Sequence, residues 1–291
     1  MISINIYQIL IEFTGGYMKL ALISDIHSNL IALNLAISDC KKENIDKVIF
    51  LGDYITDLEN ENEVLNIIKK NADYAILGNR EKYILNYSPL KKDYNNYKPI
   101  YTTFNNLNQE NLDYIKSLKS HDIITINNLK ILIIHSDIYH NENINNMFDQ
   151  IINDFDFDIC FFGHTHEYLY KEYKNKIFLN PGSIGIPVDS PTYKYCIVDV
   201  RDKINVVLKE FRVNDTFNEL ADKYKSSKYY NSNYSWANLI LYSIKNSNSY
   251  CEKFIKLFNS KIKNLNQISA DEFNEIWDKT YKEFCQKYNL N

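Results

Sequence analysis

Residues 19–27 read KLALISDIH. An apolar run this short, stopped abruptly by Asp25, predicts a buried strand over Lys19 to Ser24. Leu30, Leu33, Ile37 and Cys40 then recur at helical spacing, so a helix follows the strand. The unit repeats. Val48 to Leu51 predicts a second strand, ending at Gly52 and Asp53. Val64, Leu65 and Ile68 suit a second helix, and Asp73 to Leu77 a third strand, ending at Gly78 and Asn79. Strands alternating with helices indicate an α/β fold with parallel strands.

Further along, Glu81 to Lys119 reads as mostly helical, broken near Pro89 and Pro99. Ile123 to Ile126 and Lys130 to Ile134 predict two strands around an Asn127-Asn128 turn, the second delivering His135. Asn143 to Asn153 reads as a helix, and Ile159 to Phe162 as a strand delivering Gly163 and His164. Strands near 167–173, 176–179, 193–199 and 203–212 are expected to form a second, more antiparallel sheet. The character changes after Asn214, because residues 215–291 contain no Gly and no Pro. Phe273, Ile276, Trp277, Tyr281, Phe284 and Tyr288 line one helical face, and Ser269 with Glu272 suits a capping box before it. The expected division is an N-terminal extension over 1–17, a main domain over 18–213 and a helical C-terminal appendage over 214–291. The Asn/Tyr/Lys-rich patch 222–235 is the linker candidate.

The chain has 291 residues, 45% hydrophobic and 14% aromatic, which allows a substantial core. Its net charge of -4 excludes a globally basic surface, so nucleic acid is not an expected partner. Five cysteines without a CxxC pair point to reduced thiols and a cytoplasmic location. The apolar run Ile9 to Phe13 is interrupted by Glu12, and no Lys or Arg precedes Lys19. That is no signal peptide and no membrane span. Met18 is the expected natural start.

Five predicted strand ends carry polar signatures: Asp25-Ile26-His27, Gly52-Asp53, Gly78-Asn79-Arg80-Glu81, His135-Ser136 and Gly163-His164-Thr165-His166. Asp53 follows Asp25 by 28 residues and Asn79 follows Asp53 by 26, about one β-α-β unit each. Of six histidines, four (His27, His135, His164 and His166) lie at these ends. Two Asp, one Asn and four imidazoles are donors suited to Mn, Fe, Zn, Co or Ni. Seven are too many for one open catalytic ion and suit two that share a carboxylate.

The order DxH, GD, GN, H, GHxH resembles the calcineurin-like metallophosphoesterase superfamily, in particular its compact prokaryotic, YfcE-like phosphodiesterase branch. Asn180-Pro181-Gly182-Ser183-Ile184-Gly185 resembles the NPGS stretch of that branch. The resemblance covers roughly residues 18–200. It implies a four-layer α/β/β/α sandwich of two mixed sheets, here followed by the helical appendage. It also implies two divalent metal ions: manganese first, with iron, zinc, nickel, cobalt or magnesium as alternatives. By position, Asp25, His27 and His166 would hold one metal, Asn79, His135 and His164 the other, and Asp53 would bridge them. The implied activity is hydrolysis of a small phosphorylated substrate, as phosphodiesterase or phosphatase, by a metal-bridging hydroxide. The alternative is a non-catalytic, metal-binding interaction scaffold of the same fold. The C-terminal helices could also join two copies into a homo-oligomer.

Arg80 stands where many members have His. Arginine keeps its proton at working pH, so it cannot be a general acid. It would stabilise charge on phosphate, or simply pair with Glu81 or Asp57. Asn29 reads as a helix cap or a substrate contact, and Asp137 as a loop residue or an orienter of a ligand. Gly182, Ser183 and Gly185 read as a turn beside the site. His121 and His140 fall outside the motifs and are expected in solvent.

Overall fold

A computed structural model describes residues 18–141, 143–200, 204–262 and 268–290. The extension expected over 1–17 lies outside these residues. The first strand, β1 (Met18–Ile23), is followed by α1 (Leu30–Lys42), β2 (Lys47–Phe50), α2 (Glu61–Asn71) and β3 (Tyr74–Ala75). β1, β2 and β3 are parallel neighbours, as the alternating pattern predicts. The third strand is shorter than expected. Asp73 caps the neighbouring strand, accepting from the Val48 N–H at 2.9 Å, and Ile76 already bridges to Lys119.

The chain then runs through α3 (Asn79–Leu85), α4 (Lys98–Asn106) and α5 (Gln109–Ser117) to the hairpin β4 (His121–Ile126) and β5 (Leu129–Ile134). Asn127 and Asn128 have φ of 49° and 65°, the paired left-handed conformation of a tight hairpin turn. After α6 (Ile144–Asp154) come β6 (Ile159–Phe162), β7 (Tyr168–Tyr173), β8 (Lys176–Pro181), β9 (Thr192–Val200) and β10 (Ile204–Arg212).

The last four strands do not form a sheet of their own, which corrects the expectation. One sheet has the order β10-β9-β1-β2-β3 and the other β4-β5-β6-β8-β7. β9 lies antiparallel to β1, whereas β8 lies parallel to β6, so each sheet is mixed. Side chains alternate between faces along a strand, and here they separate three cores. Leu20, Leu22, Ile49, Ile131, Ile133, Ile159 and Phe161 meet between the sheets. Ala21, Ile23, Phe50 and Ile197 face α1 and α2. Leu132, Ile134, Cys160 and Phe162 face Phe148 and Ile151 of α6. The result is a four-layer α/β/β/α sandwich.

Five helices complete the described chain: α7 (Phe217–Lys225), α8 (Lys228–Ser232), α9 (Tyr234–Asn246), α10 (Tyr250–Lys261) and α11 (Ala270–Tyr288). In α11, Phe273, Trp277 and Phe284 are buried, and the Ser269 hydroxyl accepts from the Glu272 N–H at 3.2 Å. The patch 222–235 is no free linker. It is largely helical, and Tyr224 and Tyr229 within it are 1% and 2% exposed.

Candidate metal centre

All seven predicted donors converge, but from two sheets rather than one. Asp25 and His27 follow β1, Asp53 follows β2, and Asn79 opens α3 after β3; His135 follows β5, and His164 and His166 follow β6. The C-terminal ends of these parallel strands meet at one edge of the sandwich, where open α/β sheets bind ligands.

Two sets of donors result. Asp25, His27 and His166 have ligand atoms within 4.8 Å of one another, as do Asp53, His135 and His164. Asn79 belongs with the second set, its Oδ1 lying 2.9 Å from His164 Nδ1 and 3.1 Å from His135 Nε2. Asp53 stands between the sets. Its Oδ2 is 3.7 Å from His27 Nε2 and its Oδ1 is 3.3 Å from His135 Nε2.

Three imidazoles are held from behind. Nδ1–H of His27 donates to Asp57 Oδ2 at 2.8 Å, that of His135 to the Leu51 carbonyl at 2.8 Å, and that of His166 to the Ile186 carbonyl at 2.7 Å. These bonds orient each ring with Nε2 toward the site, and in the neutral His27 and His166 they fix the tautomer that leaves Nε2 bare. His27 Nε2 and His166 Nε2 consequently face each other at 3.1 Å. Two bare lone pairs at that distance repel, unless a positive species lies beside them. The donor set therefore fits a cation.

Electrostatics agree. Burial lowers the pKa of His27 and His166, and burial with His135 nearby lowers His164 to about 3, so these rings are neutral. Burial works against charge on Asp53, but His135, His27 and Arg80 outweigh it and hold the carboxyl well below the usual range. Burial raises Asp25 to about 6, with Asp53 adding to the rise. Burial also opposes charge on His135, yet Asp53 and Asp25 lift its pKa to about 10. The buried carboxylates demand positive charge, and a metal ion would supply it.

The backbone is strained at the same places. Asp25, His27, Asp53, His164 and His166 have φ between 48° and 77°. Such left-handed conformations in non-glycine residues carry a steric cost and gather at functional sites.

Arg80 pairs with Asp57, Nη2 to Oδ2 at 3.1 Å, while its Nε lies 3.8 Å from Asp53 Oδ2. Glu81 does not pair with it; its carboxylate accepts from the Gly78, Asp53 and Tyr54 N–H groups at 2.8 to 3.0 Å. Asn29 is a helix cap, accepting from the Ala32 N–H at 3.1 Å. Asp137 takes the loop role and pairs with Lys82 at 2.7 Å. Ser183 belongs to a turn whose hydroxyl donates to the Asp25 carbonyl at 2.8 Å. His121 and His140 are exposed, although the His140 ring also meets His164 at 5.3 Å.

The sequence named Asp57 and Glu81 only as possible partners of Arg80. Asp57 does pair with it, but that Asp57 also holds His27 and that Glu81 holds the backbone of Asp53 carried no sequence signal.

The sandwich and its edge of Asp, Asn and His donors define a metal-dependent phosphoesterase architecture. Residues 18–203 match the calcineurin-like phosphoesterase superfamily domain, and the chain belongs to that superfamily. It is a metallophosphoesterase, a phosphoric ester hydrolase of a divalent-metal-dependent family. An uncharacterised protein of Methanocaldococcus jannaschii is 30% identical over 223 residues, covering 69% of this chain and 91% of the relative. A phosphodiesterase of the same organism is 27% identical over 198 residues, covering 66% of this chain and 100% of the relative. A metallophosphoesterase from Sphaerobacter thermophilus has the same fold, with a TM-score of 0.57 at 23% identity over 71% of this chain and 94% of that one.

Proposed function

We propose that the protein hydrolyses small phosphodiesters with two divalent cations, manganese first among them, in the cytoplasm. The observation that carries this reading is the placement of Asp53, with one carboxylate oxygen toward each donor set. Asp25, His27 and His166 would hold one cation and Asn79, His135 and His164 the other, with Asp53 shared. Bound there, such ions supply a water-derived nucleophile near neutral pH and neutralise charge on phosphoryl oxygens.

The chain's own part is orientation and charge. The Nδ1–H bonds to Asp57, Leu51 and Ile186 hold three rings with Nε2 turned toward the donor sets. Arg80 stays protonated, as Asp57 and Asp53 raise its pKa against the effect of burial. Its role is to steady phosphoryl charge rather than to move a proton. The preference for a diester is supported by the relative named a phosphodiesterase, whose whole length the chain covers. A scaffold that had lost activity would be expected to have lost ligands, and all seven donor positions are kept here.

Metal analysis, with hydrolysis of a generic diester and a generic monoester with and without Mn2+, tests the reading. Diester turnover should need added metal, and Asp53→Asn or His164→Ala should abolish it. Near-wild-type turnover in both variants would sink the two-cation site. Arg80→Ala should lower kcat/KM by about tenfold to a hundredfold with metal content unchanged.

A further inference from the structure

Asp57 is fully buried, and its carboxylate serves two residues of the site at once: Oδ2 accepts from His27 Nδ1 at 2.8 Å and forms an ion pair with Arg80 Nη2 at 3.1 Å. What holds Asp57 comes from the far end of the chain. The Trp236 indole donates to Asp57 Oδ1 at 2.8 Å. The Tyr229 hydroxyl accepts from the Asp57 N–H at 3.0 Å, and the Tyr224 hydroxyl donates to the Asp57 carbonyl. Thr56 and Asp57 have φ of 74° and 69°, a strained pair that must be held by its surroundings. Those surroundings are α7, α8 and α9, all beyond residue 203, where the family match ends.

We propose that the C-terminal helices complete the metal centre: Trp236, Tyr224 and Tyr229 position Asp57, and Asp57 positions His27 and Arg80. The inference rests on the two-cation reading above. Trp236 is a positioning residue, acting on the first cation through the Asp57–His27 pair. Partners of ligating histidines set ring orientation and basicity, and losing such a partner costs about 10- to 100-fold in metal affinity.

The chain supplies its own control. Its two tryptophans are Trp236 and Trp277. Both indoles are buried among the C-terminal helices and both make one hydrogen bond of 2.8 Å, but Trp277 donates to Ser235 rather than to Asp57. Trp236→Phe and Trp277→Phe thus remove matched groups, of which one touches the site.

The experiment is Mn2+ uptake by the full chain in equilibrium dialysis. Trp236→Phe should weaken one of two Mn2+ sites by about tenfold and leave the other within about twofold. Its activity, lost at limiting Mn2+, should return in excess. Trp277→Phe should keep both affinities, and Co2+ should quench its remaining Trp236 fluorescence. If Trp236→Phe binds Mn2+ like the wild type, or if the two variants weaken alike, the inference is overturned and the function stands. A wild-type chain that takes up no Mn2+ overturns the two-cation reading, and this inference with it. Should Trp236→Phe not fold, Tyr229→Phe removes one hydroxyl from Asp57 and is read in the same way.

Discussion

A methyl group on Gly78 would lie 2.2 Å from both the amide nitrogen and the Oδ1 of Asp53. Neither can retreat, since the amide is bonded to Glu81 and Oδ1 accepts from the Arg80 N–H at 2.8 Å. Gly78→Ala should therefore displace the Asp53 carboxylate. We expect a loss of about 3 kcal/mol in stability by urea titration and at least tenfold weaker Mn2+ uptake. An alanine variant with unchanged uptake would show that the close approach is not needed. The seven donors were legible because each ends or follows an apolar strand, where a polar residue needs a reason. The hold of Asp57 on His27 and of Glu81 on the Asp53 backbone was not, because that work depends on which backbone and side-chain groups the fold brings to them. Tyr229 and Trp236 lie more than 170 residues from Asp57 in sequence, and no local pattern marks that meeting.

Elements were legible where apolar periodicity was strong, as in β1, β5, β6 and α11. Sheet membership was not. β7 and β8 pair with each other, and so do β9 and β10, so the pattern looked like one antiparallel sheet. Which edge each pair joins is decided by the faces left open on β6 and β1, a property of the assembled layers. Within α2, one residue contradicts its surroundings. Glu61 is 3% exposed, and its Oε1 is buried without a hydrogen-bond partner. Burial raises its pKa from 4.5 to about 7, with Glu63 and Glu59 adding to the rise. The native state thus holds this proton more tightly than the unfolded chain does. The stabilising contribution is complete below pH 4.5 and is lost as pH rises through about 7. Glu61→Gln removes the penalty for charging this site. Relative to wild type it should gain on the order of 2 kcal/mol at pH 8 and almost nothing at pH 4. Thermal melts at the two pH values read the difference, and an equal shift at both would refute the titration argument.

At the scale of the whole molecule, the question is whether the C-terminal helices melt with the sandwich or apart from it. One continuous core contains Ala21, Ile23 and Phe50 of the sandwich together with Trp236, Phe254 and Trp277. Polar contacts cross the same seam. The Asn95 N–H donates to Asn274 Oδ1 at 2.8 Å, Asn274 Nδ2 donates to the Asp93 carbonyl at 2.8 Å, and the three contacts to Asp57 lie beneath. Separating the helices would expose this shared surface, at roughly 25 cal/mol per Å2 of apolar area, and would strip Asp57 of its partners. Both tryptophans report the helices, whereas far-UV circular dichroism reports every element. We expect the two signals to share one midpoint in urea. Mn2+ binds at the strand ends of the sandwich in our reading, so it stabilises only the native state there. If the seam is cooperative, excess Mn2+ must raise the tryptophan midpoint as far as the circular dichroism midpoint, although neither indole is among the proposed ligands. A tryptophan transition that stays in place while the other moves would separate the appendage from the fold it completes.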